Sequence, residues 1–137
     1  MKKRIILIGG YSKARFLSVS LINKGYSVTA INDDMEKCKF LTEIDKLTVF
    51  YGDGTKQHVL NDADIYNADI AIALTDKDED DLVICQLCKK VFNIKKTVAI
   101  ASDPSKYEFF RQMGIDSVIC EISIISGIIE NEILGDV

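Results

Sequence analysis

Proline is nearly absent from this chain, with one residue in 137. With no low-complexity tract beside it, that scarcity excludes flexible linkers and disordered arms. Histidine is as scarce. The single His58 stands among helix-forming polar residues, with no Ser/His/Asp or Cys/His set around it. Dense basic blocks are missing and the net charge is −4, which argues against nucleic acid as a partner, because its phosphates demand clustered Lys and Arg. The longest nearly apolar stretch, Ile122 to Ile129, is broken by Ser123, Ser126 and Gly127. It falls far short of the ~20 residues that span a bilayer. The N-terminus has no signal-peptide core or cleavage site, so the expected location is cytoplasmic.

Cysteine is present without a framework. Cys38, Cys85, Cys88 and Cys120 lie in apolar or helical settings. Cys85-x-x-Cys88 resembles half a zinc site or a redox pair, yet no second pair or nearby histidine completes a metal set. A redox CxxC opens a helix, whereas this pair falls inside one. The expectation is four core cysteines and no metal. No Ser-x-x-x-Tyr-x-x-x-Lys pattern marks a short-chain reductase, and no second domain supplies a substrate floor. Hydride chemistry requires both a nicotinamide and a substrate pocket, so no catalytic residue is assigned.

What the chain does have is alternation. The composition, 47% hydrophobic, fits one compact domain over residues 1–137. Short runs of Ile, Val, Leu, Ala and Thr at 3–8, 27–32, 47–51, 69–74, 96–101 and 117–120 suit strands buried on both faces. Helical patterns fall between them, at 12–24 with Gly25 as a stop, 34–44, 55–63 with Thr55 as a cap, 77–92, and from Asp103-Pro104 to Gly114. Asp33 with Glu36 offers a capping box for the second helix, and Asp34 reads as a cap. Six strands alternating with helices predict an α/β fold, a Rossmann-like doubly wound parallel sheet of order 3-2-1-4-5-6. The ligand crevice is expected between strands one and four. The last segment, 122–134, carries Ile122, Ile124, Ile125, Ile128, Ile129, Ile133 and Leu134. Its apolar arc is too wide for one sheet to cover, which predicts a subunit or domain contact.

Strand one runs into Gly9-Gly10-Tyr11-Ser12-Lys13-Ala14. A strand, a glycine turn and a helix N-terminus make an anion site from backbone N–H groups. The dinucleotide fingerprint is damaged, because Tyr11 and Ala14 fill its second and third glycine positions. A pyrophosphate is disfavoured there; a monophosphate is not. Ser12 and Lys13 offer a hydroxyl and a cation to phosphate oxygens. Asn32 stands at the usual ribose-acid position, where its amide can accept one hydrogen bond and donate another, and Asp33 can substitute. Gly52-Asp53-Gly54-Thr55 follows strand three at the sheet's carboxyl edge. Asp53 can accept from an adenine amino group there, with Gly54 beside it. Thr75 closes strand four on the opposite wall. The acidic run Asp76, Asp78, Glu79, Asp80, Asp81 reads as the solvated start of a helix rather than a Mg²⁺ or Ca²⁺ site.

With these segments placed, the whole chain resembles the TrkA-N family, the N-terminal nucleotide-binding part of the RCK domain (regulator of potassium conductance). The resemblance lies in Ile6-Leu7-Ile8-Gly9-Gly10, Gly52-Asp53-Gly54-Thr55, Ala68-Asp69 through Leu74-Thr75-Asp76, Asp103-Pro104 and Met113-Gly114-Ile115-Asp116. It implies a cytoplasmic regulatory domain, peripheral to the membrane, that binds NAD(H), ATP, ADP or AMP and controls a potassium channel or transporter subunit. It also implies a homodimer or higher homo-oligomer through 122–134. Gly9, Gly10 and Ser12 fall at the phosphates, Asn32 and Asp33 at the ribose, Asp53 and Gly54 near the base, and Thr75 opposite. The family usually has glycine at Tyr11 and Ala14, often arginine at Ser12, an acid at Asn32, and an arginine near Ile100 or Ala101. These departures remove positive charge from the phosphate end and favour AMP or ADP over ATP or NAD. The family's smaller C-terminal subdomain is not found in the sequence, which implies an excised domain or a single-domain variant. The rival reading is an NAD(P)-dependent oxidoreductase fragment.

Overall fold

The computed structural model describes residues 2–135; positions 1, 136 and 137 of the expected domain lie outside the described residues. Six strands form one sheet: β1 (Arg4–Ile8), β2 (Ser27–Asn32), β3 (Thr48–Tyr51), β4 (Ile70–Ala73), β5 (Lys96–Ala101) and β6 (Ser117–Cys120). Their order is β3-β2-β1-β4-β5-β6, as the alternation predicts, and every pair is parallel. The helices are α1 (Ser12–Asn23), α2 (Met35–Leu41), α3 (Gln57–Asp62), α4 (Asp78–Lys90), α5 (Tyr107–Gln112) and α6 (Glu121–Leu134).

The two-residue period of β1 divides the core. Ile5 and Leu7 point to one face, where Val28 and Leu74 join Ala14, Leu17, Leu21 and Ile22 of α1. Ile6 and Ile8 point to the other, against Leu60 of α3, Ile84, Cys85 and Cys88 of α4, and Phe92. The central strands are thus covered twice, which is why they read as unbroken apolar runs. All four cysteines are buried and free, matching the core reading. Burial drives the Cys85 thiol well above its ordinary range and pushes Cys88 up to about 12, so neither is a thiolate at neutral pH. No group of metal-ligating side chains forms among the described residues.

Local capping departs from expectation at two helices. Asp34 alone caps α2, its Oδ1 accepting from the N–H groups of Glu36 and Lys37 at 2.9 and 3.1 Å; Asp33 takes no part. Thr55 does not cap α3, which starts two residues later after Lys56. Its hydroxyl instead donates to Asp53 at 2.7 Å, because the aspartate closes its own turn first. Asp103 caps a 3-10 turn at Pro104–Lys106 that leads into α5, as the Asp-Pro pair implies.

None of α6 is buried. Ile125 is 56% exposed and Ile133 67%, and the other large apolar side chains of the helix are exposed as well. The isoleucines of this helix are uncovered. No helix among the described residues is long and apolar enough to cross a membrane.

Candidate functional site

The strand order reverses between β1 and β4, so their following loops diverge and leave a crevice at the sheet's carboxyl edge. A cleft of about 500 Å³ occupies it, within the range of small-molecule sites. Nine of the ten residues singled out from sequence line it: Gly9, Gly10, Tyr11, Lys13, Asn32, Asp33, Asp53, Gly54 and Thr75. Ser12 does not. It faces a separate groove with Arg15, Phe16 and Val19, on the outer side of α1, because the first helical turn rotates it away from the crevice while Lys13 stays at the rim.

Gly9 and Gly10 both adopt left-handed backbone, at φ +84° and +76°. Their lack of a Cβ serves packing as much as access. A Cβ on Gly9 would lie 2.6 Å from Cγ2 of Thr75, and one on Gly10 would lie 2.9 Å from the Leu74 carbonyl oxygen. The turn can therefore sit directly on the end of β4. Its neighbour Tyr11 does not fill the crevice. The ring packs against Phe40 with centroids 6.2 Å apart, and the Arg15 guanidinium lies 5.6 Å from its centroid. Tyr11 offers α1 no side-chain cap, and the first amides of an α-helix have no intrahelical acceptor. Amides in that position can receive an anion.

Asn32 makes hydrogen bonds within the protein. It is buried at 3% exposure. Its Nδ2 donates to the Gly10 carbonyl at 2.6 Å and its Oδ1 accepts from the Asp34 N–H at 3.0 Å. The amide clamps the glycine turn to the end of β2, a task that needs a donor and an acceptor together. Asn32→Asp presents a carboxylate to that carbonyl. The unfolding free energy should fall by about 1–3 kcal/mol at neutral pH in urea titrations. A variant as stable as the parent protein would remove this clamp from the account.

Asp53 holds its turn through Oδ1, which accepts from the Thr55 N–H at 2.9 Å and from its hydroxyl. These bonds keep the carboxyl below its usual range, so it faces the cleft ionised. Gly54 packs under the floor, where a Cβ would collide with Cγ2 of Ile8. Lys13 is not free at the phosphate end: its Nζ lies 2.7 Å from Glu121 Oε1 at the root of α6.

The acidic run at the head of α4 is not uniformly solvated, contrary to the sequence reading. Asp78 and Asp81 are buried, at 8% and 1% exposure. Asp78 accepts from the Ser102 N–H and hydroxyl and pairs with Lys106 at 3.3 Å, tying α4 to the loop after β5. Asp81 Oδ1 accepts from the Thr75 N–H at 2.9 Å and from its hydroxyl at 2.6 Å. Burial raises the Asp81 carboxyl to about 7; the Thr75 bonds act against the rise, and Asp78 and Asp80 add to it. The i, i+3 spacing of 78 and 81, continued by Ile84, Cys85 and Cys88, is the inward stripe of this helix. That spacing was the available signal. Lys37, Lys77 and Asp80 also line the cleft without having been singled out.

A glycine turn and helix N-terminus at a strand-order switch define this chain as a Rossmann-type domain. Residues 5–121 match the TrkA-N domain family, and the chain belongs to that family. A Trk system potassium uptake protein TrkA homolog of Methanothermobacter thermautotrophicus is 35% identical over 127 residues, covering 92% of this chain and 58% of the relative. The chain spans about half the length of the curated relatives it matches. Among solved structures, the Kef CTD of Shewanella denitrificans in its AMP-bound form superposes with a TM-score of 0.79 at 23% identity, over 96% of this chain and 79% of that one. A GsuK channel bound to NAD gives 0.75 at 23% identity, over 87% and 21%. At these identities the structures share the fold.

Proposed function

We propose that this chain is the nucleotide-binding regulatory part of a potassium-uptake system, and that its cleft takes an adenine nucleotide without turning it over. The observation that supports this reading is one cleft that gathers the glycine turn, the start of α1, Asp53 and Thr75. The potassium role follows from the TrkA homologs among its relatives. The adenosine moiety is what AMP in one structural neighbour and NAD in another have in common.

AMP or ADP is preferred to ATP or NAD. Ser12 faces away from the cleft, Lys13 is paired with Glu121, and acidic Asp33, Asp53, Asp76 and Asp80 share the rim with Lys37 and Lys77. Each added phosphate charge therefore meets little compensation. Nucleotide binding acts by population shift: it favours one arrangement of paired domains by its difference in affinity for the two arrangements. The pairing surface is α6, and the domain works in the cytoplasm beside a membrane-embedded channel or transporter subunit.

Calorimetric titration of the purified chain with AMP, ADP, ATP and NADH tests the reading. AMP and ADP should bind more tightly than ATP and NADH. Tight NADH binding with turnover of a carbonyl substrate would replace the sensor with an oxidoreductase. For the pairing surface, Ile125→Asp puts a charge on the exposed isoleucine face. Sedimentation should show a dissociation constant at least about tenfold weaker, since a desolvated charge in an apolar contact costs more than 1.4 kcal/mol. Unchanged assembly would exclude α6 as the contact.

A further inference from the structure

Thr75 is the one cleft residue whose backbone and side chain are both held by a buried acid. Its methyl rests on Gly9, where a Cβ would lie 2.6 Å away. Its N–H and O–H both run to Asp81 Oδ1. One side chain therefore separates the Asp81 carboxylate from the glycine turn. We propose that Asp81 is the positioning residue of the cleft's second wall and links ligand affinity to protonation: charged, it pins Thr75 against Gly9 and opposes an anionic phosphate at the turn, and it takes up a proton when such a ligand binds. The linkage rests on the nucleotide reading above; the positioning does not.

The charges around Asp81 reinforce this polarity. From its own helix, Asp78 and Asp80 repel it, and Cys85 one turn on is a neutral thiol at neutral pH. Asp78 is itself answered by Lys106. β4 contributes no ionisable residue, and β5 contributes only Lys96, at its far end. The loop between β4 and α4 carries Asp76 and Lys77, both on the cleft rim; the loop after β5 carries Asp103, capping its own turn. No cation bonds to Asp81 among the described residues. Among the described residues its hydrogen bonds come from Thr75 alone, it lies in the first turn of α4, and with a carboxyl at about 7 it is partly protonated near neutrality. An incoming phosphate adds like charge on the far side of Thr75 and shifts that balance towards the neutral acid.

The test compares the wild-type chain with Asp81→Asn, which keeps an oxygen acceptor for Thr75 but never carries charge. AMP affinity is measured from pH 6 to 8.5, with adenosine as the uncharged probe. The ligand's own phosphate ionisation is common to both proteins, so the difference between their profiles isolates Asp81. Wild type should lose about fivefold more AMP affinity than the variant across that range. Adenosine should show no such difference, and AMP binding should take up more protons in wild type than in the variant, read by calorimetry in buffers of different ionisation enthalpy. Parallel AMP profiles would overturn the linkage. The unliganded protein supplies an independent readout, because the Thr75 amide resonance should titrate with Asp81 in wild type and be flat in the variant. A Thr75 amide insensitive to pH in wild type overturns the positioning role. If neither protein binds any of the four nucleotides, the nucleotide reading and the linkage fall together, and a titrating Thr75 amide still supports positioning.

Discussion

Gly9→Ala is expected to cost about 3 kcal/mol of unfolding free energy and to abolish measurable nucleotide binding. Two effects add. At φ +84° an L-residue pays roughly 1–2 kcal/mol for left-handed backbone. The new methyl would also meet Thr75 Cγ2 at 2.6 Å and the Thr75 backbone at 3.1 Å, an overpacking of about 1–3 kcal/mol. The methyl of Thr75 cannot swing aside, because its hydroxyl and amide are both held by Asp81. Relief has to come from separating the glycine turn from the end of β4, which changes the cleft itself. Urea denaturation gives the stability change and calorimetry with AMP the affinity change. A Gly9→Ala protein that keeps both within error would mean that the turn has more slack than this contact allows.

Asp81→Asn is expected to act in the opposite direction, raising stability, and only at neutral to alkaline pH. The folded carboxyl sits at about 7, above its ordinary 3.8. Between those values the folded chain holds a proton that the unfolded chain has released, so stability falls as pH rises from about 4 to about 7 and then levels off. The stabilisation is complete below the unfolded value and is lost through the folded one. Asparagine has no charge to bury at any pH. A rise of about three units at about 1.4 kcal/mol each gives the variant a gain of about 4 kcal/mol at pH 8, roughly 14 °C in Tm for a chain of this size, and the two proteins should converge near pH 4. Thermal unfolding across that range reads the effect. An equal gap at both ends would show that burial of the Asp81 charge is not its source.

These two residues differ in how far the sequence exposed them. Gly9 was legible as part of a strand–glycine–helix pattern, because that pattern is a local property of consecutive residues. What the pattern could not reveal is that Gly9 is forced by Thr75, 66 positions away, as well as by any ligand. From the sequence Asp81 reads as one more carboxylate at a helix start. Its burial follows from the side of α4 that faces β4 and β5, and only the 78–81–84/85–88 spacing hinted at it. Asn32 reads from sequence as a residue of the right edge, but its contact with Gly10, which crosses from β2 to the β1–α1 turn, is not legible there. Ser12 reads from sequence as a hydroxyl at the helix N-terminus, and the pitch of α1 turns it outward.

By itself the sequence determined the elements, the parallel sheet and its strand order, because hydrophobic periodicity and turn residues act over short stretches of chain and right-handed crossovers leave few ways to join them. It also determined that 122–134 carries more apolar surface than one neighbour can cover. Tertiary structure alone decided which polar groups of the cleft remain available and which are spent within the protein. Hydrogen-bond partners are chosen by three-dimensional proximity, and a buried donor or acceptor takes the nearest partner that spares it the cost of desolvation.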